Sequence, residues 1–518
     1  MKEFILNNSE AGQVDHYTMQ TLGIPGLELM LKAGSYVSLK TKKFLKHVPG
    51  SQVDIFCGTG NNGGDGFVAA GQLSEWGVTV NVWLAGKPEK IRGAARHYYE
   101  QCLEKPIHIR YVTKHDELPS VKDISQADLI IDALLGTGFQ GEVKGIIKEL
   151  IEVINRAGRP VIAVDIPSGI SGDTGQVGGV AVKATATVTM GFLKRGLLFQ
   201  PGKRLAGEIF LADLKYPAKA FTLLEHETYL IDKKMIKQSL PAIAEDTYKH
   251  QQGKVIVFAG SPGMTGAAFL ASQAALRSGA GLVVSAIPKS LNPVMEIKST
   301  ETLSLPLPET ESVTFSKAAL AAAAERIEWS DVVVFGPGVS TNEETREFGC
   351  DLLQSVAKPV IVDADGLRVF RNNLALISKI KELIITPHLG EFAMMTGQSV
   401  NKLKANIIDI SRQFVLNYPC TLVLKGAPTI VASADGQVAV NSTGNPALAT
   451  GGTGDVLTGM IAGLCAQKMN PFEAALCAVY LHGLAGDYGR GDFGVRGLIA
   501  GDLLKYLPVV LKEFEKVV

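Results

Sequence analysis

The 518-residue chain has no net charge, because 51 Lys and Arg residues balance 51 Asp and Glu residues. No overall field would draw in nucleic acid or an anionic membrane, so the expected partner is a small molecule. Cysteine is scarce. The six (Cys57, Cys102, Cys350, Cys420, Cys465 and Cys477) are scattered through apolar segments. They form no CxxC and no zinc spacing, which argues for reduced, buried thiols and a cytoplasmic protein. The opening MKEFILNNSEAGQVDHY has no apolar signal core, and no later run reaches the ~18 apolar residues of a membrane helix. Neither secretion nor membrane insertion is expected. The chain also lacks GxxxxGK[ST] and HExxH, which argues against a P-loop nucleotidase and against catalytic zinc.

What is present is glycine, 55 residues of it, gathered in loops that follow apolar runs. The chain is too long for one core and predicts two or three domains. From Val53 to Leu211, β-branched runs alternate with helical stretches: VDIFCG, VTVNVWLAG, IHIRYV, DLIIDALLG, PVIAVDIPSG, ATVTMGF and GEIFLADL. A helical lead-in from Asp15 to about His47 precedes them. This is the pattern of a mostly parallel, doubly wound α/β sheet. Two prolines and many charges then break the rhythm and put a domain boundary near Phe221 to Thr228, with residues 1–220 before it and 225–518 after. A second α/β series follows: KVIVFAGS, GLVVSAIP, DVVVFGPG, PVIVDADG, ELIITPHLGE and CTLVLKG, then TIVASADGQVAVNS as a hairpin and a helical tail from Asp455. Ligands of such sheets bind beyond the carboxyl ends of the strands, where the polar constellations of this chain lie.

The most informative of these is GNPALATGGTGDVLTG, Gly444 to Gly459. A glycine loop opening a helix offers N–H groups and the positive end of the macrodipole to an anion. Asp455 would repel that anion, which makes sense if its carboxylate takes a proton during phosphate chemistry. The plainer reading is an N-cap. Lys425, ending CTLVLKG and followed by Gly426, Ala427, Pro428 and Thr429, reads as a phosphate cradle, or as a lysine that snorkels to solvent. His388 and Glu391 in TPHLGE could serve substrate and a metal-bound water, with Asp363 and Asp365 supporting the same cleft. Gly260 to Val284 reads as an alanine-lined helix for close packing.

In the first domain, Gly58, Gly60 and Gly63 match GxGxxG after a strand, but the second strand ends without the acid that holds a ribose. Instead Asn61, Asn62, Gly63, Gly64 and Asp65 form an amide-rich turn suited to phosphate oxygens or a cation. Oxygens of Asn62, Asp132 and Ser168 would coordinate a hard cation. Alternatively, Asp132 and Asp165 cap their loops through Asx-turns. Gly136, Gly138 and Gly141 permit close approach to a ligand.

GGTGD before a helix, GPG after DVVVF and the TPHLGE strand end resemble the ribokinase-like superfamily, although His388 stands where sugar kinases commonly carry Asn. The longer set, with DADG, KGAPT and GNPALATGGTGDVLTGMIAGL, resembles the ADP- or ATP-dependent NAD(P)H-hydrate dehydratases. GTGNNGGDG, IDALLGTGF, VDIPSG and LKYP resemble the NAD(P)H-hydrate epimerases. The two sets stand in the order of the fused bacterial repair enzymes. That resemblance implies a Rossmann-like three-layer αβα domain followed by a ribokinase-like domain. It puts the hydrated nucleotide (NADHX or NADPHX) of the epimerase on Asn61 to Asp65, on the Gly136, Thr137, Gly138 and Phe139 loop and on Asp165, with K+ on Asn62, Asp132 and Ser168. It puts dehydratase substrate on Ala267, Gly338, His388 and Asp455, and ADP with Mg2+ on Lys425 to Thr429 and Gly454. Asp455 and Asp165 are the catalytic candidates. The alternative is a hydroxymethylpyrimidine-type small-molecule kinase fused to a non-catalytic nucleotide-binding module. The apolar helix PFEAALCAVYLHGLAG suits either a core or a homo-oligomer interface.

Overall fold

The structure, a computed structural model, describes residues 2–517. It divides into two compact units, Glu3–Glu225 and the chain from His226 on.

The first unit opens with β1 (Ile5–Leu6) and the helices Asn8–Gln20 and Gly26–Phe44. The expected helical lead-in is therefore two helices, separated at Pro25. Then come β2 (Gln52–Cys57), β3 (Thr79–Ala85), β4 (Ile107–Val112), β5 (Leu129–Ala133), β6 (Val161–Val164), β7 (Ala186–Met190), β8 (Leu193–Lys194) and β9 (Glu208–Ala212). Seven of these make one sheet in the order β4-β3-β2-β5-β6-β7-β9, with every pair parallel. The order reverses direction at β2 and β5, so a crevice opens there beyond the strand ends. The central strands β5, β6 and β7 are buried at every residue, as a sheet covered on both faces requires, whereas the edge strand β4 has exposed positions. β1 pairs with β8 in a separate two-residue ladder, too short for periodicity to reveal.

The second unit contains β10 (Thr228–Ile231), β11 (Lys254–Phe258), β12 (Leu282–Pro288), β13 (Leu303–Leu307), β14 (Val332–Phe335), β15 (Val360–Val362), β16 (Leu383–Ile385), β17 (Thr421–Leu424), β18 (Ile430–Ala432) and β19 (Val438–Asn441). They form one sheet in the order β10-β19-β18-β17-β16-β15-β14-β11-β12-β13. Only the β17–β18 and β18–β19 pairs are antiparallel, which realises the hairpin expected over TIVASADGQVAVNS. Two edge strands carry no plain sequence signal. β10 lies in the charged stretch read as linker, and β13 contains Pro306, which an edge strand tolerates. The helix Thr265–Arg277 packs on Thr453–Ala466 through small residues: a Cβ on Gly459 would stand 2.1 Å from the Ala271 carbonyl oxygen, and one on Gly463 would stand 2.4 Å from that of Ala275. Close packing is thus the role of that alanine-lined helix. Among the described residues no helix is long and apolar enough to cross a membrane. All six cysteines are free, and Cys350 is half-buried rather than buried.

Candidate active sites

In the second unit, the loop before Thr453–Ala466 turns at Gly452, whose φ of 91° belongs to the left-handed region. Gly452 is the N-cap and Asp455 stands in the first helical turn, so the N-cap reading of Asp455 is excluded. Its carboxyl is pushed up to about 7, first by burial, then by the Asp363 charge, against an opposing pull from Lys425. That is the range of a general base working near neutrality.

Lys425 does not snorkel to solvent. Its Nζ donates to Asp363 Oδ1 at 2.6 Å, and Thr458 Oγ1 donates to Asp363 Oδ2 at 2.7 Å. Asp363 is only 1% exposed, so it is fixed from two sides. A Cβ on Gly454 would lie 3.3 Å from Lys425 Nζ, so the loop passes close to the ammonium and a side chain there would crowd it. Thr429 Oγ1 bonds back to the Gly426 carbonyl at 3.1 Å, which ties the Lys425–Thr429 turn into a compact cradle.

His388 is brought alongside Lys425 by an isolated parallel bridge, and Lys425 N–H donates to the Pro387 carbonyl at 2.8 Å. His388 is itself the N-cap of Leu389–Thr396: its Nδ1 accepts from Gly390 N–H at 2.9 Å, while Glu391 accepts the His388 N–H at 2.7 Å. A capping box therefore engages one Glu391 oxygen, while the other lies 3.4 Å from His388 Nε2. Glu391 still stands 4.0 Å from Lys425 Nζ. Ala267 and Gly338 meet: a Cβ on Gly338 would be 3.1 Å from that of Ala267. The Gly459–Ala271 register, run back one turn, brings Ala267 level with Asp455. Asp365 holds the Ser340 N–H at 3.1 Å on the same rim.

In the first unit, Asn61 to Gly64 are not a free turn but the first turn of the helix Asn61–Glu75, capped by Gly60. A Cβ on Gly63 would stand 2.0 Å from the Gly58 carbonyl oxygen, and one on Gly64 would meet Met30, so these glycines offer a ligand their backbone alone. The helix start supplies the anion-favouring end of the dipole.

Asn62, Asp132 and Ser168 converge. Asn62 Nδ2 donates to the Leu135 carbonyl at 3.1 Å, Ser168 Oγ donates to Asp132 Oδ1 at 2.6 Å, and Ser168 N–H donates to Asp132 Oδ2 at 2.8 Å. Asp132 also accepts from Leu134 N–H at 3.3 Å, so the loop-capping reading is partly realised. Burial raises its carboxyl to about 6, and among the described residues no ion pair reaches it. Oxygen donors around a buried carboxylate that lacks a counter-charge fit a hard monovalent cation such as K+. Of the Gly136–Phe139 loop, Gly136 abuts the Asn62 amide, Thr137 follows it, and Gly138 has open space where a side chain would be. Phe139 lines a cleft of about 190 Å³ with Asn8, Gly141, Ser171 and Asp173.

Asp165 directly follows β6 with φ of 65°, a left-handed conformation unusual outside glycine and common at working sites. Its Oδ1 accepts from the Met190 N–H at 3.0 Å and forms a buried ion pair with Lys194, which also donates to the Met190 carbonyl at 2.8 Å. Asp65 faces the same charges: burial and then Asp165 push its carboxyl well up. Asp15 joins them, accepting from the Tyr216 hydroxyl and raised mainly by burial. Lys194, Asp15 and Tyr216 were not legible as site residues. Tyr216 lies within LKYP, but nothing in that motif says that it reaches Asp15 from 201 residues away.

The molecule is thus a fused pair of doubly wound α/β units, each with a buried charged cluster beyond its strand ends. A family model described as NAD(P)H-hydrate dehydratase matches residues 255–509, and one described as YjeF-related protein N-terminus matches residues 26–196. A bifunctional NAD(P)H-hydrate repair enzyme of Moorella thermoacetica is 38% identical over 99% of this chain and 97% of its own length. Its counterpart in Thermofilum pendens is also 38% identical, over 98% and 97%. A crystal structure of the ADP/ATP-dependent NAD(P)H-hydrate dehydratase of Bacillus subtilis, co-crystallised with ATP and Mg2+, is 31% identical and covers 55% of this chain and 98% of its own, with a TM-score of 0.47. This chain belongs to the family of bifunctional NAD(P)H-hydrate repair enzymes.

Proposed function

We propose that this chain returns hydrated NADH and NADPH to use in two steps: residues 1–220 interconvert the R and S hydrates, and residues 225–518 dehydrate the S form at the expense of ADP. The observation that carries the reading is Asp455, a base pushed up to about 7 beside the Gly451–Gly454 anion loop, with Lys425 held next to it by Asp363.

The hydrate carries a hydroxyl on the ring carbon next to nitrogen, a poor leaving group. Asp455 takes the hydroxyl proton, and the oxygen attacks the β-phosphorus of ADP as the bond to AMP breaks. The loop N–H groups and Lys425 hold the charge that develops on the phosphoryl oxygens. The ring nitrogen's lone pair then expels phosphate, and loss of a proton from the adjoining carbon restores the ring double bond. His388, Ala267 and Gly338 bound the hydrate; Lys425 to Thr429 and Gly454 bound the nucleotide. Mg2+ bound with ADP would supply the counter-charge of its phosphates beside Lys425 to Thr429.

In the first unit Asp165 is the acid/base for epimerisation, and Lys194, ion-paired with it, fixes its orientation. The hydrate lies across Asn61 to Asp65 and the loop from Gly136 to Phe139. Asn62, Asp132 and Ser168 would hold K+, which supplies the counter-charge that Asp132 lacks. The protein is cytoplasmic and works as a homo-oligomer, a reading supported by its free thiols and by exposed apolar side chains such as Phe493 and Ile499.

The test is product stoichiometry with S hydrate and ADP labelled at the β-phosphorus. AMP and inorganic phosphate should form one for one with reduced nicotinamide. Accumulation of a stable phosphorylated small molecule would overturn the dehydratase reading in favour of a small-molecule kinase.

A further inference from the structure

The long helix Pro471–Gly497 carries a row of groups that all face the chain between Asn441 and Thr453. Thr443 Oγ1 donates to the Tyr480 carbonyl at 2.7 Å, Gly444 N–H donates to Asp487 Oδ2 at 3.0 Å, and Asn445 Nδ2 donates to Asp487 Oδ1 at 2.8 Å. A Cβ on Gly483 would lie 2.2 Å from Thr443 Oγ1, so the helix presses directly on this segment. Residues 480, 483 and 487 lie on one helical face. His482, beside that row, reaches furthest toward the phosphate loop: its Nε2 lies 2.9 Å from the Thr453 carbonyl oxygen.

That carbonyl accepts only, so Nε2 carries the proton. The ring is 9% exposed, and burial holds it neutral, down to about 4. The Thr453 carbonyl is one end of the Thr453–Gly454 peptide, whose other end is the Gly454 N–H. Gly454 adjoins both Lys425 Nζ and Asp363 Oδ2. A donor on the oxygen of a peptide polarises the whole unit and makes its N–H a stronger donor. It also fixes the peptide plane, and with it the direction of that N–H.

We infer that His482 is a positioning residue for the dehydratase site: it orients and polarises the Thr453–Gly454 peptide so that the Gly454 N–H meets the phosphoryl group undergoing transfer. This rests on the phosphoryl-transfer reading of the loop. If the bond serves only to satisfy the ring's own buried N–H, its loss would leave phosphoryl transfer unchanged.

The two are separated in the full chain with His482→Gln, which keeps an N–H donor, and His482→Phe, which keeps an apolar volume. Carbonyl-13C threonine with 15N glycine makes the nine Thr–Gly pairs visible by NMR, and Thr453→Ser assigns the one concerned. The inference expects His482→Phe to move both the Thr453 carbonyl and the Gly454 amide resonances upfield and to lower kcat about tenfold. Loss of a whole oxyanion donor costs ~10²–10³, and here the donor is weakened rather than removed. KM for ADP should stay within about twofold, and His482→Gln should recover most of kcat and of the shifts. Unmoved resonances in His482→Phe, or equal loss of kcat in the two variants, would overturn it. If the wild-type chain has no dehydratase activity, the proposed function fails, and the resonances alone still decide whether His482 polarises that peptide.

Discussion

Replacing Asp363 by Asn should move the acid limb of the dehydratase pH profile downward. Asp455 works only when ionised, so kcat falls as pH drops through its pKa, about 7 in the wild-type site. After burial itself, the Asp363 charge contributes most to that elevation, and Lys425 opposes it. Asparagine keeps the shape and an acceptor for Thr458, but it removes a repelling charge and frees the Lys425 ammonium, now 2.6 Å from Asp363, to favour Asp455. Both changes lower the pKa of Asp455. One like charge lost from a shared cleft is worth on the order of 1 pK unit, or ~1.4 kcal/mol. At pH 6 the ionised fraction would then rise from about 0.1 to about 0.5, so the variant keeps roughly fivefold more of its own plateau rate than wild type does. The plateau should fall, because Lys425 loses its anchor. Single-turnover rates of NADH formation between about pH 5 and 9 would read both effects. A limb that stays near 7 or moves upward would refute the assignment of Asp455 as the base in the field of Asp363.

Asp455→Asn should abolish dehydration and also stabilise the second unit. Between the unfolded value of 3.8 and about 7 the folded chain keeps a proton that the unfolded chain has released, so stability falls as pH rises through that window. Allowing for partial solvent access, the variant should gain roughly 2 kcal/mol at pH 8 and nothing at pH 4, measured by denaturant melts; equal stability at pH 8 would contradict this. Lys194→Met should slow epimerisation by about 100-fold or more, because it leaves Asp165 buried and unpaired, and chiral separation of the hydrates would show it. K+ should stimulate epimerisation, and the K+ concentration required should rise as pH falls below about 6, where protons compete for Asp132; Asp132→Asn should remove the K+ response altogether, and a response unchanged in that variant would sink the cation site.

Much of this was legible because the chemistry-bearing residues sit where apolar strands end. Asp132, Asp165, Asp363, His388 and Lys425 each end a run of Val, Ile or Leu or follow it within a few residues, and parallel topology carries such ends to one edge. What stayed hidden depends on tertiary meeting. Whether Lys425 cradles phosphate or seeks solvent stays open in the sequence until Asp363, 62 residues away, is seen to hold it. Lys194 lies in a segment with no motif of its own, and Asp15 lies on the helical lead-in, where nothing in the sequence marks it as a site residue. The TPHLGE reading placed His388 and Glu391 together but missed that they cap a helix mutually, since the same residue types serve both purposes. Strand β10 was missed because four residues, Thr228–Ile231, set between charged flanks are too few to show a period.

The measurement that tests the account most directly is recovery of absorbance at the reduced-nicotinamide band when the chain meets mixed R and S NADH hydrate with ADP, Mg2+ and K+. Wild type should recover all of it. Asp165→Asn should recover the S share at once and the remainder only at the spontaneous rate of epimerisation, and Asp455→Asn should recover none. Full and rapid recovery by either variant, or none by wild type, would contradict the division of labour proposed for the two units.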